Sequence, residues 1–467
     1  MKIFDTLSVT EKELDTYGTV RIYLCGVTVY DDSHIGHART IIVFDTLRRF
    51  LEHHGVKVKF VQNFTDVDDK IINRARSENV SSDAISTRYI TSYFEGFDSL
   101  NVKRADLYPK ATEHILDMVN IIKELIDKKI AYISTNGVYF SVSKFAQYGK
   151  LSKKKTDELV SGARVEVDET KKDPLDFALW KFADDEPTWD SPWGKGRPGW
   201  HIECSAMSLK YLGEDFEIHG GGRDLIFPHH ENEIAQSESY SGKNFAKIWM
   251  HVGMVTINGE KMSKSLGNTR SVDFVLKKWG ANIIRLFCLS GHYSKPIDYS
   301  EDLLRETITK WRQVESCYYE LILSGEGSAS PSNTKFVEDT VRETKKEFTD
   351  ALNSDFNTAL AIGAFFKLVK AANQLAASEV LVSPLSEKIL PTLDEMLDIL
   401  GLRVLQVTEE EKKKVNESIE KRNLLRAQKK FQDADVIRNE ISSMGIVLID
   451  HKKKTLWMKQ ERIEAET

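Results

Sequence analysis

The chain has 467 residues with a formal net charge of −6, and 41% of its residues are hydrophobic and 29% charged. This length predicts about two to four domains, each of which buries its own core. The charge balance excludes a globally basic nucleic-acid binder, so an RNA site would have to be a local patch.

The first residues lack the apolar stretch of a signal peptide, and no later apolar run approaches a membrane span. We therefore expect a cytosolic (cytoplasmic) protein with no membrane partner. The cysteines lie far apart in a chain without secretory context, so we expect no disulfides. Cys288 and Cys317 are predicted to lie in the core, whereas Cys25 and Cys204 lie in stretches rich in glycine and polar residues.

The first predicted element is a buried strand over residues 21–30, which alternate and are rich in β-branched side chains. From Gly36 onward apolar residues recur at helical spacing. His34 and His37 therefore lie at a helix N-terminus, where free backbone N–H groups and the helix dipole attract anions. A phosphate site is one interpretation, and a turn with two hydrogen-bonded histidines is the other.

A second strand, predicted over residues 56–64, runs into Thr65 and an acidic cluster. The order strand, helix, strand predicts a parallel, doubly wound sheet, in which ligands bind at the carboxyl ends of the strands. Thr65 lies at such an end, as either a ligand contact or a helix cap. Residues 82–129 are predicted to be mostly helical, and the irregular stretch up to 198 predicts an insertion.

A glycine run follows the next predicted elements, a helix from Trp200 to Leu212 and a short strand over residues 216–219. The run ends at Gly222, and Asp224 lies close behind it. A backbone without side chains can approach a flat ligand closely, and an acid after it can accept hydrogen bonds from ribose hydroxyls. A nucleoside site and a plain flexible loop are the two interpretations.

A candidate metal site begins at Pro228. A proline suits a helix start, and a helix from here places His229 and Glu233 four residues apart on one face. An imidazole and a carboxylate at that spacing, joined by two thiolates from elsewhere, could complete a tetrahedral zinc site. His230 with Glu231 or Glu233 is also possible, and a simple surface pair is the alternative to any metal.

The strongest single motif is the stretch Lys261-Met-Ser-Lys264-Ser between flanking glycines, which predicts a mobile, cationic loop. Fixed positive groups stabilise the charge that develops on a departing pyrophosphate. No GxxxxGK[ST] loop occurs, so ATP has to be held by other groups. A charged solvent loop is the alternative, and the order of this motif after His34 and His37 argues against it.

Beyond residue 300 the chain is predicted to be helical, with a flexible linker of small residues over 325–332. Charged helices over 409–443 precede a short hairpin around Lys452–Lys454. Such charges are usually solvated faces, although basic residues near Trp457 could contact an RNA loop.

Taken together, the motifs resemble those of the cysteinyl-tRNA synthetase family of class I aminoacyl-tRNA synthetases. The resemblance covers nearly the whole chain and includes a tail pattern at 434–438 and 445–446, although the last hairpin lacks a glycine usual there. It rests on residues 25–30, His34-Ile-Gly-His37, and residues 63–70, 199–204, 219–222, 227–233 and 261–265.

The resemblance implies an α/β fold: a Rossmann-like class I catalytic domain with an insertion, then an all-α bundle and a small C-terminal anticodon-binding domain. The expected domains are residues 1–111 with 199–255 for the catalytic halves, 112–198 for the insertion, 256–305 for the stem-contact region, 306–402 for the bundle and 403–467 for anticodon binding. A monomer is the habit of the family.

The resemblance also implies the residues of the site. Zinc, one ion per chain, would be held by Cys25, Cys204, His229 and Glu233. ATP with Mg²⁺ would contact His34, Gly36, His37, Gly221, Gly222, Asp224 and Lys264. The amino-acid pocket would be completed by Thr65, Trp200 and His201.

The implied reaction joins L-cysteine to tRNA(Cys) through a cysteinyl-adenylate. His34 and His37 would stabilise the α-phosphate, and Lys261 and Lys264 the leaving pyrophosphate. A ligase that joins activated cysteine to a small amine would share these motifs but would not need a basic helical tail. A binding protein without activity would have no physical need to keep the catalytic and metal-ligand candidates together.

Overall fold

The computed structural model describes residues 1–154, 170–262, 267–450 and 455–466. Two compact units can be distinguished: residues 1–272 with 292–298 and 353–356 form the first, and residues 273–291, 299–352 and 357–467 form the second. The finer division into five segments made from sequence stays a prediction.

The first unit carries the strands and helices around the candidate site. In chain order they are β1 (Lys2–Asp5), β2 (Thr10–Glu13), β3 (Thr19–Thr28), α1 (Ile35–His53), β4 (Lys57–Thr65), α2 (Asp69–Glu78), α3 (Ser82–Ser99), α4 (Ile115–Asp127), β5 (Ala131–Ile133), β6 (Gly137–Phe140), β7 (Phe177–Phe182), β8 (Gly196–Pro198), α5 (Trp200–Leu212), β9 (Phe216–Gly222), α6 (Glu231–Ser241), β10 (Ala246–Val252), β11 (Val255–Ile257), β12 (Glu260–Lys261) and β13 (Ile297–Tyr299).

The centre of this unit is a parallel four-stranded sheet in the order β10-β9-β3-β4. Helix α1 connects β3 to its parallel neighbour β4, which confirms the predicted doubly wound arrangement. An antiparallel sheet of β5 to β8 lies within the predicted insertion. Because the strands of the central sheet are parallel, the ends of β3, β4 and β9 meet at one edge.

Strand β9 differs from the prediction because it continues through the glycine run to Gly222 rather than ending before it. A Cβ on Gly220 would lie 2.1 Å from the Phe44 ring of α1. A Cβ on Gly221 would lie 2.8 Å from the His230 ring. The glycines are therefore part of the sheet, and they let a helix and a histidine pack directly against its backbone.

A β-bulge interrupts the register between β3 and β4 after Leu24. Within it, the backbone N–H of Gly26 donates to Asn63 Oδ1 at 2.9 Å. A Cβ on Gly26 would lie 1.6 Å from the carbonyl oxygen of Asn63, which only glycine avoids. The bulge fixes the position of Cys25 at the end of β3, because bulges re-aim side chains at strand ends.

The second unit is mainly helical, as predicted. Its elements are α7 (Val272–Trp279), α8 (Ala281–Leu289), α9 (Glu301–Ile322), α10 (Pro331–Asn353), α11 (Thr358–Ala377), α12 (Ser383–Leu400), α13 (Glu409–Ala427), α14 (Phe431–Ser443), β14 (Ile446–Asp450) and β15 (Thr455–Lys459). Helix α10 begins earlier than expected because Pro331 suits its first turn, which shortens the linker.

Within this unit, Tyr319 packs near the buried Trp457 with ring centroids 5.7 Å apart. The Arg422 guanidinium bonds the Asp450 carboxylate at 3.0 Å, which joins α13 to the hairpin. Cys317 is fully buried, as predicted. Residues 451–454, and with them the lysines of the hairpin, lie outside the described residues. No described helix has the length and apolar character that a membrane crossing requires.

Candidate metal centre and nucleotide cavity

Four buried side chains from separate elements meet behind the edge of the central sheet: Cys25 from β3, Cys204 from α5, His229 from a π-helical turn over Ile226–His230, and Glu233 from α6. Cys25 Sγ lies 3.7 Å from Cys204 Sγ and 3.4 Å from Glu233 Oε1. His229 Nε2 lies 3.0 Å from Glu233 Oε1. The structure thus brings the four predicted zinc ligands together.

The spacing of these atoms suits a tetrahedral ion. Zn–S distances of about 2.3 Å at a tetrahedral angle separate two sulfurs by about 3.8 Å, close to the 3.7 Å between Cys25 and Cys204. Glu233 Oε2 is buried and has no hydrogen-bond partner among the residues that the structure describes. A buried carboxylate oxygen without a partner is costly, and a metal ion would satisfy it.

Burial controls the protonation of these groups. It raises the pKa of the Glu233 carboxyl and of the Cys25 thiol well above their usual values. Burial also opposes ionisation of Cys204, but hydrogen bonds with Cys25 and His229 bring the pKa of its thiol down to about 7. The centre therefore contains a thiol that ionises readily, which is the form that binds metal.

Both histidines left open by the sequence approach the cluster. His229 Nδ1 contacts His201 Nδ1 at 2.9 Å, which directs Nε2 towards Glu233. His230 Nε2 lies 3.3 Å from Cys25 Sγ. Glu231 is excluded as a ligand because its carboxylate accepts hydrogen bonds from the backbone N–H groups of residues 149, 151 and 152.

His34 and His37 form a reciprocal cap at the start of α1. His34 Nδ1 accepts from the backbone N–H groups of Gly36 and His37, and His37 Nδ1 accepts from the N–H of His34. A ring nitrogen that accepts a hydrogen bond carries no proton, so each imidazole has its proton on Nε2. The ring centroids lie 3.8 Å apart, and the capping bonds confirm the interpretation as a turn with two hydrogen-bonded histidines, whereas the phosphate site stays a prediction.

A cavity of about 310 Å³ lies in front of these histidines, at the predicted edge of the sheet. Its walls include these residues predicted from sequence: Cys25, His34, Gly36, His37, Trp200, Gly222 and Asp224. Gly221 does not line it, because that position packs against His230. The cavity size is within the range of small-molecule sites.

Two residues predicted for the amino-acid pocket have buried partners instead of cavity contacts. The Thr65 hydroxyl donates to Glu203 Oε2 at 3.0 Å. His201 contacts His229, as described above. Trp200 lines the cavity and stacks on the His229 ring with centroids 4.2 Å apart, so it connects the cavity wall with the metal cluster.

Residues 263–266 of the lysine motif, including Lys264, lie outside the described residues. The backbone of Lys261 ends β12, and Met262 lines the cavity. The motif therefore begins at the cavity wall.

Arg39, which the sequence analysis did not single out, bonds two residues of the cavity wall, Gly253 and Met254. Its buried guanidinium donates to the carbonyls of Gly253 and Met254, at 2.8 and 3.0 Å, and to those of His292 and Lys295, at 3.2 and 2.6 Å. These bonds hold α1 against two segments that follow the sheet. Nothing in the sequence around an arginine two residues after His37 distinguishes this structural role, the binding of backbone carbonyls, from the binding of a phosphate.

Three buried histidines lie behind the cluster; the sequence analysis considered His230 as a possible ligand but did not single out His219 or His251. Burial lowers the pKa of His219 and His230 well below the usual value, and that of His251 to about 3, so all three are neutral at neutral pH. His219 lies within the glycine motif, which offered a signal, whereas nothing in the sequence distinguishes His251.

Comparison with known proteins finds two matching family profiles and many full-length relatives. A family profile described as tRNA synthetases class I (C) catalytic domain matches residues 11–309, and a DALR domain profile matches residues 347–406. A cysteine–tRNA ligase of Thermodesulfovibrio yellowstonii is 48% identical over 98% of this chain and 99% of its own length. One of Caldicellulosiruptor saccharolyticus is 46% identical over 99% of this chain and all of its own length.

Solved structures share the fold at low identity. Methionyl-tRNA synthetase of Mycobacterium tuberculosis, in complex with methionyl-adenylate, aligns with a TM-score of 0.61 at 14% identity, covering 82% of this chain and 89% of that one. The leucyl enzyme of Agrobacterium radiobacter aligns with a TM-score of 0.62 at 10% identity, covering 83% and 85%. At such identities the likeness concerns the fold alone.

Proposed function

We propose that the buried cluster holds the zinc ion with which this chain selects L-cysteine. The chain belongs to the cysteine–tRNA ligase family of class I aminoacyl-tRNA synthetases. The chain is an enzyme of that family: it activates cysteine with ATP to cysteinyl-adenylate, transfers the cysteinyl group to tRNA(Cys), and releases AMP and pyrophosphate. The observation that carries the zinc proposal is the meeting of two thiols, an imidazole and a buried carboxylate whose ligand atoms lie within 4.8 Å of one another.

Selection of cysteine is the step that needs a metal. Cysteine and serine differ by one atom, and a pocket that works by shape alone discriminates poorly between such molecules. Zinc bound by Cys25, Cys204, His229 and Glu233 would supply a Lewis acid that prefers a thiolate to a hydroxyl and lowers the pKa of a bound thiol. The cavity reaches this cluster at Cys25 and at Trp200, which stacks on His229.

Activation requires donors at the α-phosphate. We assign this role to His34 and His37, whose capping bonds place the protons on Nε2 and hold both rings at the cavity wall. Attack by the substrate carboxylate is then a matter of position and charge stabilisation. Lys261 and Lys264 would neutralise the departing pyrophosphate together with the Mg²⁺ that ATP brings.

The nucleoside and amino-acid contacts follow from the cavity walls. Gly36, Gly222 and Asp224 line the cavity and are proposed to seat the adenosine, with Gly221 supporting the strand beneath it. Trp200 is proposed to contact the amino acid directly.

We propose that Thr65 and His201 act from behind the amino-acid pocket. Thr65 acts through its bond to Glu203, and His201 through its contact with His229.

Recognition of tRNA is assigned to the charged helices and the hairpin after residue 403. The cytosolic location and the monomeric state predicted above belong to the same proposal. The alternative enzyme, which would join activated cysteine to a small amine, does not need these elements, and the whole-length match to cysteine–tRNA ligases favours tRNA as acceptor.

One experiment tests the function: metal content of the purified chain, measured with cysteine-dependent ATP–pyrophosphate exchange and charging of tRNA(Cys). We expect one zinc per chain, exchange with cysteine and not serine, and charging. A variant that ends at Val407, before the Thr408 cap of α13, should keep exchange and lose charging. Charging by that variant at the rate of the full chain would contradict the assignment of the tail.

A further inference from the structure

A second group of four potential ligands overlaps the first. It consists of Cys25, His219, His230 and Glu233, whose donor atoms all lie within 4.8 Å of one another and are buried. Cys25 Sγ lies 3.5 Å from His219 Nε2 and 3.3 Å from His230 Nε2. A tetrahedral zinc ion separates a sulfur from a nitrogen ligand by about 3.6 Å, so the spacing suits an ion here also.

The carboxylate of Glu233 contacts both groups. Oε1 lies 3.0 Å from His229 Nε2 of the first group and 3.9 Å from His230 Nε2 of the second. Oε2 faces the second group, at 3.3 Å from His219 Nε2. Oε2 has no hydrogen-bond partner within the described residues, so an ion bound beside His219 would satisfy it.

One histidine of the second group, His230, is held in the way that metal-binding histidines usually are. His230 Nδ1 lies 2.8 Å from His251 Nε2, and His251 Nδ1 lies 2.9 Å from the Thr6 hydroxyl. The contacts from Thr6 through His251 direct Nε2 of His230 towards Cys25. The contact with His201 directs Nε2 of His229 towards Glu233 in the same way. Outer partners of this kind fix the ring and tautomer of a metal ligand.

His219 faces the second group with its Nε2. Its ring stacks on Trp249 with centroids 4.3 Å apart. This packing holds Nε2 at 3.5 Å from Cys25 Sγ and 3.3 Å from Glu233 Oε2, so the nitrogen that could bind an ion is aimed into the group.

We propose that Cys25, His219, His230 and Glu233 form a second binding position for a divalent metal ion, next to the zinc position of the proposed function. Because Cys25 and Glu233 belong to both groups, one ion occupies one position at a time. The second position offers one thiolate and two imidazoles, whereas the first offers two thiolates and one imidazole. An ion held there leaves Cys204 and His229 without metal and so withdraws it from the selection of cysteine.

This inference rests on the proposed zinc site for its two shared ligands, and cobalt(II) bound to the full chain separates the two claims. The thiolate-to-cobalt absorption reports how many sulfurs bind the ion. Wild-type chain and a His219→Asn/His230→Asn variant should each bind one cobalt with a two-thiolate spectrum. A one-thiolate spectrum or no binding in the His219/His230 variant would contradict the first position without bearing on the second.

The second position is tested by Cys204→Ser/His229→Asn, which removes the ligands unique to the first. We expect one cobalt per chain, with about half the thiolate absorption of wild type, and loss of binding when His219 and His230 are also replaced. His53→Asn, at an exposed histidine of α1, is the control and should match wild type. Absence of stoichiometric cobalt in the folded double variant would overturn the proposal.

The single variant Cys204→Ser covers the case in which the double variant does not fold. X-ray absorption at its bound zinc should then show one sulfur and two imidazoles, as the second group supplies. One sulfur with one imidazole would mean that the ion stays in the first position, and would overturn the proposal as well.

Discussion

Cys25 Sγ and Cys204 Sγ lie 3.7 Å apart although the two residues are 179 positions apart in the chain. The parallel sheet produces this closeness, because the end of β3 lies beside α5 in the folded unit. Neither thiol reacts with the other when both are occupied as metal ligands, so the pair is suited to hold zinc.

Replacing one of these thiols should remove the selection of sulfur. In Cys204→Ser the first ligand group loses a thiolate, and we expect zinc at that group to be bound more weakly. Preference for cysteine over serine in ATP–pyrophosphate exchange should then fall to the roughly 10- to 200-fold that a steric pocket can reach. Discrimination equal to that of wild type would contradict selection by the metal.

The bulge at Gly26 should be required for the metal centre. In Gly26→Ala the new Cβ would overlap the carbonyl of Asn63, so the end of β3 has to move and take Cys25 with it. We expect loss of stoichiometric zinc. Gly18→Ala is the matched control, since a Cβ there meets no atom within 4 Å, and it should keep one zinc per chain.

His201 should act on the metal through His229. Without its contact at 2.9 Å, the His229 ring loses its fixed orientation. We expect His201→Ala to weaken zinc binding about 10- to 100-fold, the usual effect of removing an outer partner, in competition with a chelator. His53→Ala should have no effect. Unchanged zinc affinity in His201→Ala would leave His201 without this positioning role.

Arg39 should stabilise the first unit. Arg39→Met leaves four buried carbonyls without their charged donor, and we expect a loss of about 3 kcal/mol in the free energy of unfolding. The thermal midpoint of that unit should fall by about 5 to 10 °C. Arg76→Met, which removes an exposed ion pair with Asp185, is the control and should shift it by less than about 2 °C.

The sequence predicted the elements more accurately than their contacts. Helix α5 spans Trp200–Leu212 as expected, because its periodicity and flanking glycines are local properties. The glycines of β9 were expected in a loop, since their role depends on Phe44 and His230, which come from elsewhere in the chain. The partnership of His230 with His251 has the same origin. Long-range packing of this kind leaves no periodic signal.

The central claim is that a zinc ion at Cys25, Cys204, His229 and Glu233 binds the sulfur of the substrate. X-ray absorption at the zinc edge of the full chain, with and without cysteine, counts the sulfur ligands directly. We predict that the count rises from two to three when cysteine is added and does not change with serine. A count that stays at two in the presence of saturating cysteine would contradict the account.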